Sequence, residues 1–419
     1  MDLSPSTAYH PASIKFVNRV VRGLNKIGLA RIDLSEGALL AEARRQTGLD
    51  RFGDEYFLLG LRPLLEDLDR DAALNPFGRL HAKTSILNAL KNLLWANAVF
   101  EAHPEIESYP MPSPIIVVGP VRSGTTRLQR LLAADTRFAH LTAWEGFNPA
   151  PRGGPHEADR LSRREEVRKF LKAGQKINPG AFAAHPMEAD AADEEILLLN
   201  QTFDGLSYAA LYHAPRYREY LLHGDRSAAY RSLGRLLRLV SWARGEPADK
   251  PWVLKTPQHM LDLPQLLQAF PDAKLLFTHR DPRKTVASTL SLAWNFSVLN
   301  TDRPCRSLIR DAWLEMCEQM ARRCIASRAV LPESQQFDVY YDEMNEDWLG
   351  VMKKVYAFLS MEYLPAAQTA ALEWMSVCQR DNIHGNHRYA LDDYGLSQDE
   401  VDARMAFYRA KYRIPYEAS

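Results

Sequence analysis

The residues best equipped for chemistry lie in the run Gly119-Pro-Val-Arg-Ser-Gly-Thr-Thr126. An apolar stretch, Ile115–Val118, precedes it and the helical spacing of Leu128, Leu131 and Leu132 follows it, so the run joins a strand to a helix N-terminus. Unpaired backbone N–H groups and the positive end of the helix dipole meet at such a place and hold anions. Gly124 lets the backbone approach closely, Ser123, Thr125 and Thr126 add hydroxyl donors, and Arg122 supplies counter-charge. The two glycines have the Gly-x4-Gly spacing of a nucleotide phosphate loop, but Thr125 stands where a Walker lysine is required. A simple connection needs one capping residue, not this many anion donors. A second basic group, His279-Arg-Asp-Pro-Arg-Lys-Thr-Val-Ala-Ser288, follows another strand-like run. Asp281 suits a helix N-cap and Pro282 a first turn. Arg280 at the strand end and Ser288 down the helix could together grip a second phosphate, although such an arginine alone is as often a surface ion-pair partner.

These groups need a scaffold that brings strand ends together. The runs Ile115–Val118, Trp252–Leu254, Lys274–Thr278 and Phe337–Tyr341 are short and apolar, and each precedes a helical pattern. That alternation predicts an α/β, P-loop-like three-layer fold around a central parallel sheet. Residues 1–108 read as an N-terminal helical region, with Ile86, Leu90, Leu93 and Leu94 on one face, and the Pro-rich segment 109–114 opens the α/β domain at 109–419. A helical, aromatic-bearing stretch at about 155–248 reads as a cap over the sheet, carrying Phe182, Phe203, Tyr208, Tyr212, Tyr217, Tyr220 and Trp242.

Of the 419 residues 46% are hydrophobic and 25% charged, with Lys plus Arg equal to Asp plus Glu at 52 each. No global field draws the chain to nucleic acid, so any anion site is built locally. No apolar run reaches the length of a membrane span, and the expected location is the cytoplasm. The four cysteines, Cys305, Cys317, Cys324 and Cys378, have neither metal-ligand nor disulfide-framework spacing, and no metal is expected.

A phosphate loop without the Walker lysine, followed much later by Arg-x7-Ser after another strand, resembles the family of sulfotransferases that use 3′-phosphoadenosine-5′-phosphosulfate (PAPS). Further stretches resemble its bacterial branch with an N-terminal helical extension: Trp144-Glu145, Trp252-Val-Leu-Lys-Thr-Pro-Gln-His259, Tyr341-Asp-Glu-Met344 and His387-Arg-Tyr-Ala-Leu-Asp-Asp-Tyr-Gly-Leu396. The resemblance covers the chain from about residue 30 and is weakest in the cap. It implies that Arg122, Ser123, Gly124, Thr125 and Thr126 hold the 5′-phosphosulfate, that Arg280 and Ser288 hold the 3′-phosphate, and that Arg388 belongs to a late basic loop over the nucleotide. The implied reaction moves the sulfuryl group to a hydroxyl of a small-molecule acceptor and releases 3′-phosphoadenosine 5′-phosphate (PAP). Arg122 replaces a lysine of animal members and should act by charge alone.

Sulfuryl transfer, like phosphoryl transfer, develops charge that fixed cations stabilise, and Arg122 with Lys255 forms the expected electrostatic pair. An acceptor hydroxyl needs a base; Glu145 is the first candidate, offset by pairing with Arg122 or Lys255, and His259 the second. Two rivals stand beside this reading: a P-loop kinase acting on nucleoside triphosphates, opposed by Thr125, and a silent scaffold of the same fold, opposed by the joint presence of Glu145, Lys255 and Arg280.

Overall fold

The computed structural model describes residues 11–26, 32–245, 249–380 and 390–417. Five strands form one wholly parallel sheet: β1 Ile115–Val118, β2 Ala139–His140, β3 Trp252–Lys255, β4 Lys274–His279 and β5 Gln336–Tyr340, in the order β2-β3-β1-β4-β5. β1 is central because all four of its apolar side chains are buried, as a strand covered on both faces requires. Its register sets Val117 opposite Lys255 on one side and Val118 opposite Phe277 on the other. The carboxyl ends of β1, β3 and β4 therefore share an edge, and the chain leaves β1 toward β2 on one side while β4 and β5 lie on the other. In open parallel sheets ligands bind at this reversal point.

The pleat divides the core in two. Ile116, Val118, Leu254, Leu275 and Phe277 belong to one large cluster, which runs from Leu34 to Ile414 and includes the helix Pro76–Ala102 with Ile86, Leu90 and Leu94. Ile115, Val117, Val253 and Leu276 face a second cluster containing Val351, Met352 and Val355. Asn75 ties the N-terminal helices to the sheet domain: it caps that helix by accepting from Gly78 N at 2.8 Å, and it donates to Leu299 O at 2.9 Å. The stretch 155–248 is mostly helical, with Glu157–Ile177, Pro179–Ala184, Pro215–His223 and Ser227–Arg244 its main elements. Its aromatics Phe203, Tyr208, Tyr212 and Tyr217 are buried in the large cluster, where they are core. Among the described residues no helix is long and apolar enough to cross a membrane, no group of three His, Cys, Asp or Glu could hold a metal, and Cys305, Cys317 and Cys324 are thiols.

One buried acid makes stability depend on pH. Asp204 accepts from Tyr220 Oη at 2.6 Å, but burial dominates and pushes its carboxyl up to about 7. The folded chain thus keeps a proton that the unfolded chain releases at much lower pH. This stabilisation is complete below the unfolded value and is lost as pH rises through the folded one. The melting temperature should fall between about pH 4 and about pH 7, and Asp204→Asn, uncharged throughout, should remove most of that fall. An equal fall in the variant would refute the assignment.

Candidate active site

The phosphate-type loop follows β1 directly. Gly119 lies so close to β4 that a side chain there would collide with Thr278. Ser123 is buried; its Oγ donates to Pro120 O at 2.7 Å and shares a hydrogen bond with Thr278 Oγ1 at 2.6 Å. Its hydroxyl thus braces the loop, and its backbone N–H, donating to the same Pro120 O at 3.2 Å, closes the turn. Gly124 stands at the N-cap of the helix Thr125–Ala133 with φ +92°, where a side chain would also press on the ring of Tyr341. Arg122 adopts φ +66°, a left-handed conformation that costs a non-glycine residue about 1–2 kcal/mol. Its Nη1 donates to Ala184 O in the cap at 3.3 Å, and its carbonyl accepts from Arg280 Nη1 at 2.8 Å. The two sequence motifs thus meet through the backbone.

Arg280 lies over the Tyr341 ring at 3.8 Å, and Arg127 approaches the same ring at 5.4 Å. Arg127 Nη1 donates to Asn345 Oδ1 at 2.9 Å, while its buried Nε and Nη2 have no partner among the described residues. Burial, then the Arg280 charge, lowers the Arg127 pKa. Arg280 also forms a two-pronged ion pair with Glu417, at 2.7 and 2.8 Å, while Glu417 N donates to Asp281 Oδ2 at 2.8 Å. Asp281 caps the helix Pro282–Ser297 through Arg283 N at 2.9 Å, as its sequence position predicts, and Ser288 is buried on that helix. Arg388 lies outside the described residues.

Lys255, ending β3, is 1% exposed. A charge this buried requires a partner. Its Nζ pairs with Glu194 and donates to Thr126 Oγ1 at 3.3 Å, which puts the ammonium beside the loop. The neighbouring Glu195 takes Lys255 N at 2.7 Å on one oxygen and His259 Nε2 at 2.5 Å on the other, while His259 Nδ1 bonds Tyr230 Oη at 2.9 Å. His259 is fully buried with both ring nitrogens engaged, so it holds Glu195 and has no nitrogen left for an acceptor.

Glu145 is placed differently from the sequence expectation. Its partner is Arg244, bidentate at 2.7 and 2.6 Å, rather than Arg122 or Lys255. Thr142 N and Oγ1 also donate to it, at 3.0 and 2.5 Å, closing the capping box of the helix Ala143–Phe147. Burial alone would raise its carboxyl, but the Arg244 charge and these hydrogen bonds outweigh that and lower it. The acids that do face Lys255, Asp193-Glu194-Glu195, were not singled out in the sequence. Their signal was three carboxylates running straight into the apolar Ile196–Leu199, since buried acids need partners.

The family model described as "Sulfotransferase family" matches residues 114–365, more than half of the chain. The chain is 25% identical over 303 residues to the omega-hydroxy-beta-dihydromenaquinone-9 sulfotransferase Stf3 of Mycobacterium bovis and of Mycobacterium tuberculosis, covering 69% of this chain and 74% of those proteins. Among solved structures it resembles sulfotransferase STF1 from M. tuberculosis, with a TM-score of 0.78, 29% identity, and coverage of 90% of this chain and 100% of that one. It also resembles sulfotransferase STF9 from Mycobacterium avium, with a TM-score of 0.80, 26% identity, and coverage of 92% and 99%. A parallel sheet whose central strand feeds an anion loop lacking the Walker lysine agrees with these likenesses, and the chain belongs to the sulfotransferase family, as an enzyme that transfers sulfuryl groups.

Proposed function

We propose that the sulfuryl donor is PAPS and that the acceptor is a small, lipid-like molecule bearing a hydroxyl. The observation that carries the donor reading is the pair of guanidiniums on Tyr341, Arg280 and Arg127, with two buried Arg127 donors unmet among the described residues. Unmet buried donors beside a phosphate-type loop fit a ligand with a second phosphate and an aromatic base. In this reading Arg122, Gly124, Thr125 and Thr126 hold the phosphosulfate, with Ser123 bracing the loop, and Arg280, Ser288 and Arg388 serve the 3′-phosphate. Lys255, beside Thr126, stabilises charge on the oxygen that bridges phosphorus and sulfur. The acceptor enters on the side of the cap, residues 155–248, over a sheet domain of 109–419 that the helices of 1–108 support. Its lipid-like character follows the menaquinone derivative in the name of the mycobacterial relative. The thiols of Cys305, Cys317 and Cys324 favour a reducing, cytoplasmic setting.

The test is which nucleotides feel Arg280. A charge-assisted phosphate contact contributes about 1.5–3 kcal/mol, so Arg280→Ala should weaken PAP and PAPS by roughly 10- to 150-fold while leaving adenosine 5′-phosphosulfate, which has no 3′-phosphate, nearly unchanged. Equal losses for all three would take Arg280 out of that role. Because Glu417 holds the Arg280 fork, a 3′-phosphate must replace this carboxylate. Glu417→Gln should therefore tighten PAP several-fold without altering adenosine 5′-phosphosulfate, as titration calorimetry of the full chain would measure.

A further inference from the structure

We infer that Glu194 is the catalytic base that takes the proton of the acceptor hydroxyl, an inference resting on the hydroxyl acceptor and the donor site read above. Three glutamates compete for the role, and their contacts separate them. Glu145 has both oxygens engaged, by Arg244 and Thr142, and its side chain is 5% exposed. Glu195 has both oxygens engaged, by Lys255 N and His259, and its side chain is 0% exposed. Glu194 gives Oε1 to the Lys255 ammonium, its Oε2 takes no hydrogen bond among the described residues, and its side chain is 12% exposed. It alone of the three presents a carboxylate oxygen that a ligand can reach.

The backbone holds that oxygen in place from both sides. Gln129, buried on the helix that the anion loop begins, donates to Asp193 O at 2.9 Å. Asp193 N donates to Leu141 O at 2.8 Å, and Asp193 Oδ1 accepts from Glu194 N at 2.7 Å. The loop that grips the donor and the carboxylate that faces the acceptor are therefore built on one rigid unit, with the Lys255 ammonium touching both Glu194 and Thr126. General base catalysis needs this proximity before anything else.

In the reaction the acceptor oxygen forms the new S–O bond as the bond from sulfur to the bridging phosphate oxygen breaks. That bond's electron pair stays on the phosphate, where Lys255 balances it. The hydroxyl proton passes to Glu194 Oε2 and then to solvent, so atoms and charge close without a further reactant.

The experiment uses the full chain with [35S]PAPS, following transfer to farnesol, cholesterol and 4-nitrophenol, and to water as released sulfate. Glu194→Gln should lower kcat for the fastest of these four by about 10²–10⁴, with PAP affinity within about threefold of the unmodified protein. Glu194→Asp, which keeps the carboxylate but withdraws it, should retain an intermediate rate, and it carries the test should the Gln variant not fold. A variant that turns over at the unmodified rate, or one that loses rate only in proportion to lost PAP affinity, would overturn the assignment and leave Glu194 as a holder of Lys255. Failure of the donor reading is told apart because the unmodified protein would then bind no PAP.

Discussion

Lys255→Met is expected to lower kcat by about 10²–10³, the usual consequence of removing one group that meets developing negative charge, while weakening PAPS, whose oxygen still bridges to sulfur, little. The bridging oxygen gains negative charge as its bond to sulfur breaks, and this ammonium, 3.3 Å from Thr126 Oγ1, lies beside the loop at the end of β3. Methionine keeps the length of the stem and removes the charge. It also leaves Glu194 without its cation in a largely buried place, which costs stability. The double variant Lys255→Met, Glu194→Gln separates the two effects: thermal stability should return toward that of the unmodified protein while the rate stays low. A single variant that keeps most of its kcat would remove Lys255 from the chemistry.

Glu145→Gln is expected to act on the fold. Removing one partner of a buried ion pair costs about 3–5 kcal/mol, because the other charge stays in the interior without its counter-ion. Arg244 has a side chain 15% exposed and packs over the Trp252 ring at 5.0 Å, so loss of the carboxylate disturbs the start of β3 as well as the capping box at Thr142. Calorimetric melting should show a large fall in stability, and kcat per folded, PAP-binding site should be close to that of the unmodified protein. A variant of unchanged stability with kcat lowered by 10² or more would restore Glu145 as the base.

The fold was legible where burial writes itself into short runs. Ile115–Val118 is a continuous apolar stretch after Pro114, and Lys274–Thr278 carries the apolar Leu275–Phe277 ahead of Asp281-Pro282; the structure places strands there with Asp281 as the expected cap. β5 begins one residue earlier than its apolar run, at Gln336, and Tyr341 opens the next helix, which turns its ring toward the two arginines. β2, only Ala139–His140, is too short to carry a period and exists because β3 offers it an edge. The anion loop was legible because its chemistry is local: glycines, hydroxyls and a helix start in consecutive positions. The proton-handling side was not, because it depends on distant contacts. Glu145 follows Trp144 and the helix of the anion loop, yet its partner Arg244 is 99 residues away. Asp193–Glu195 is held beside Lys255 by contacts with distant residues, among them Gln129, Leu141 and a bridge between Thr142 and Ala192, which no spacing within the segment announces. Nor does sequence pair Arg280 with Glu417, 137 residues apart.

Titration calorimetry of the full chain with PAP, alone and in the presence of ATP with Mg²⁺, tests the central claim most directly. PAP should bind at one site per chain, and ATP with Mg²⁺ should compete weakly, because it has no 3′-phosphate for Arg280 and the loop has no Walker lysine at Thr125. Tight binding of ATP with Mg²⁺ and none of PAP would contradict the account.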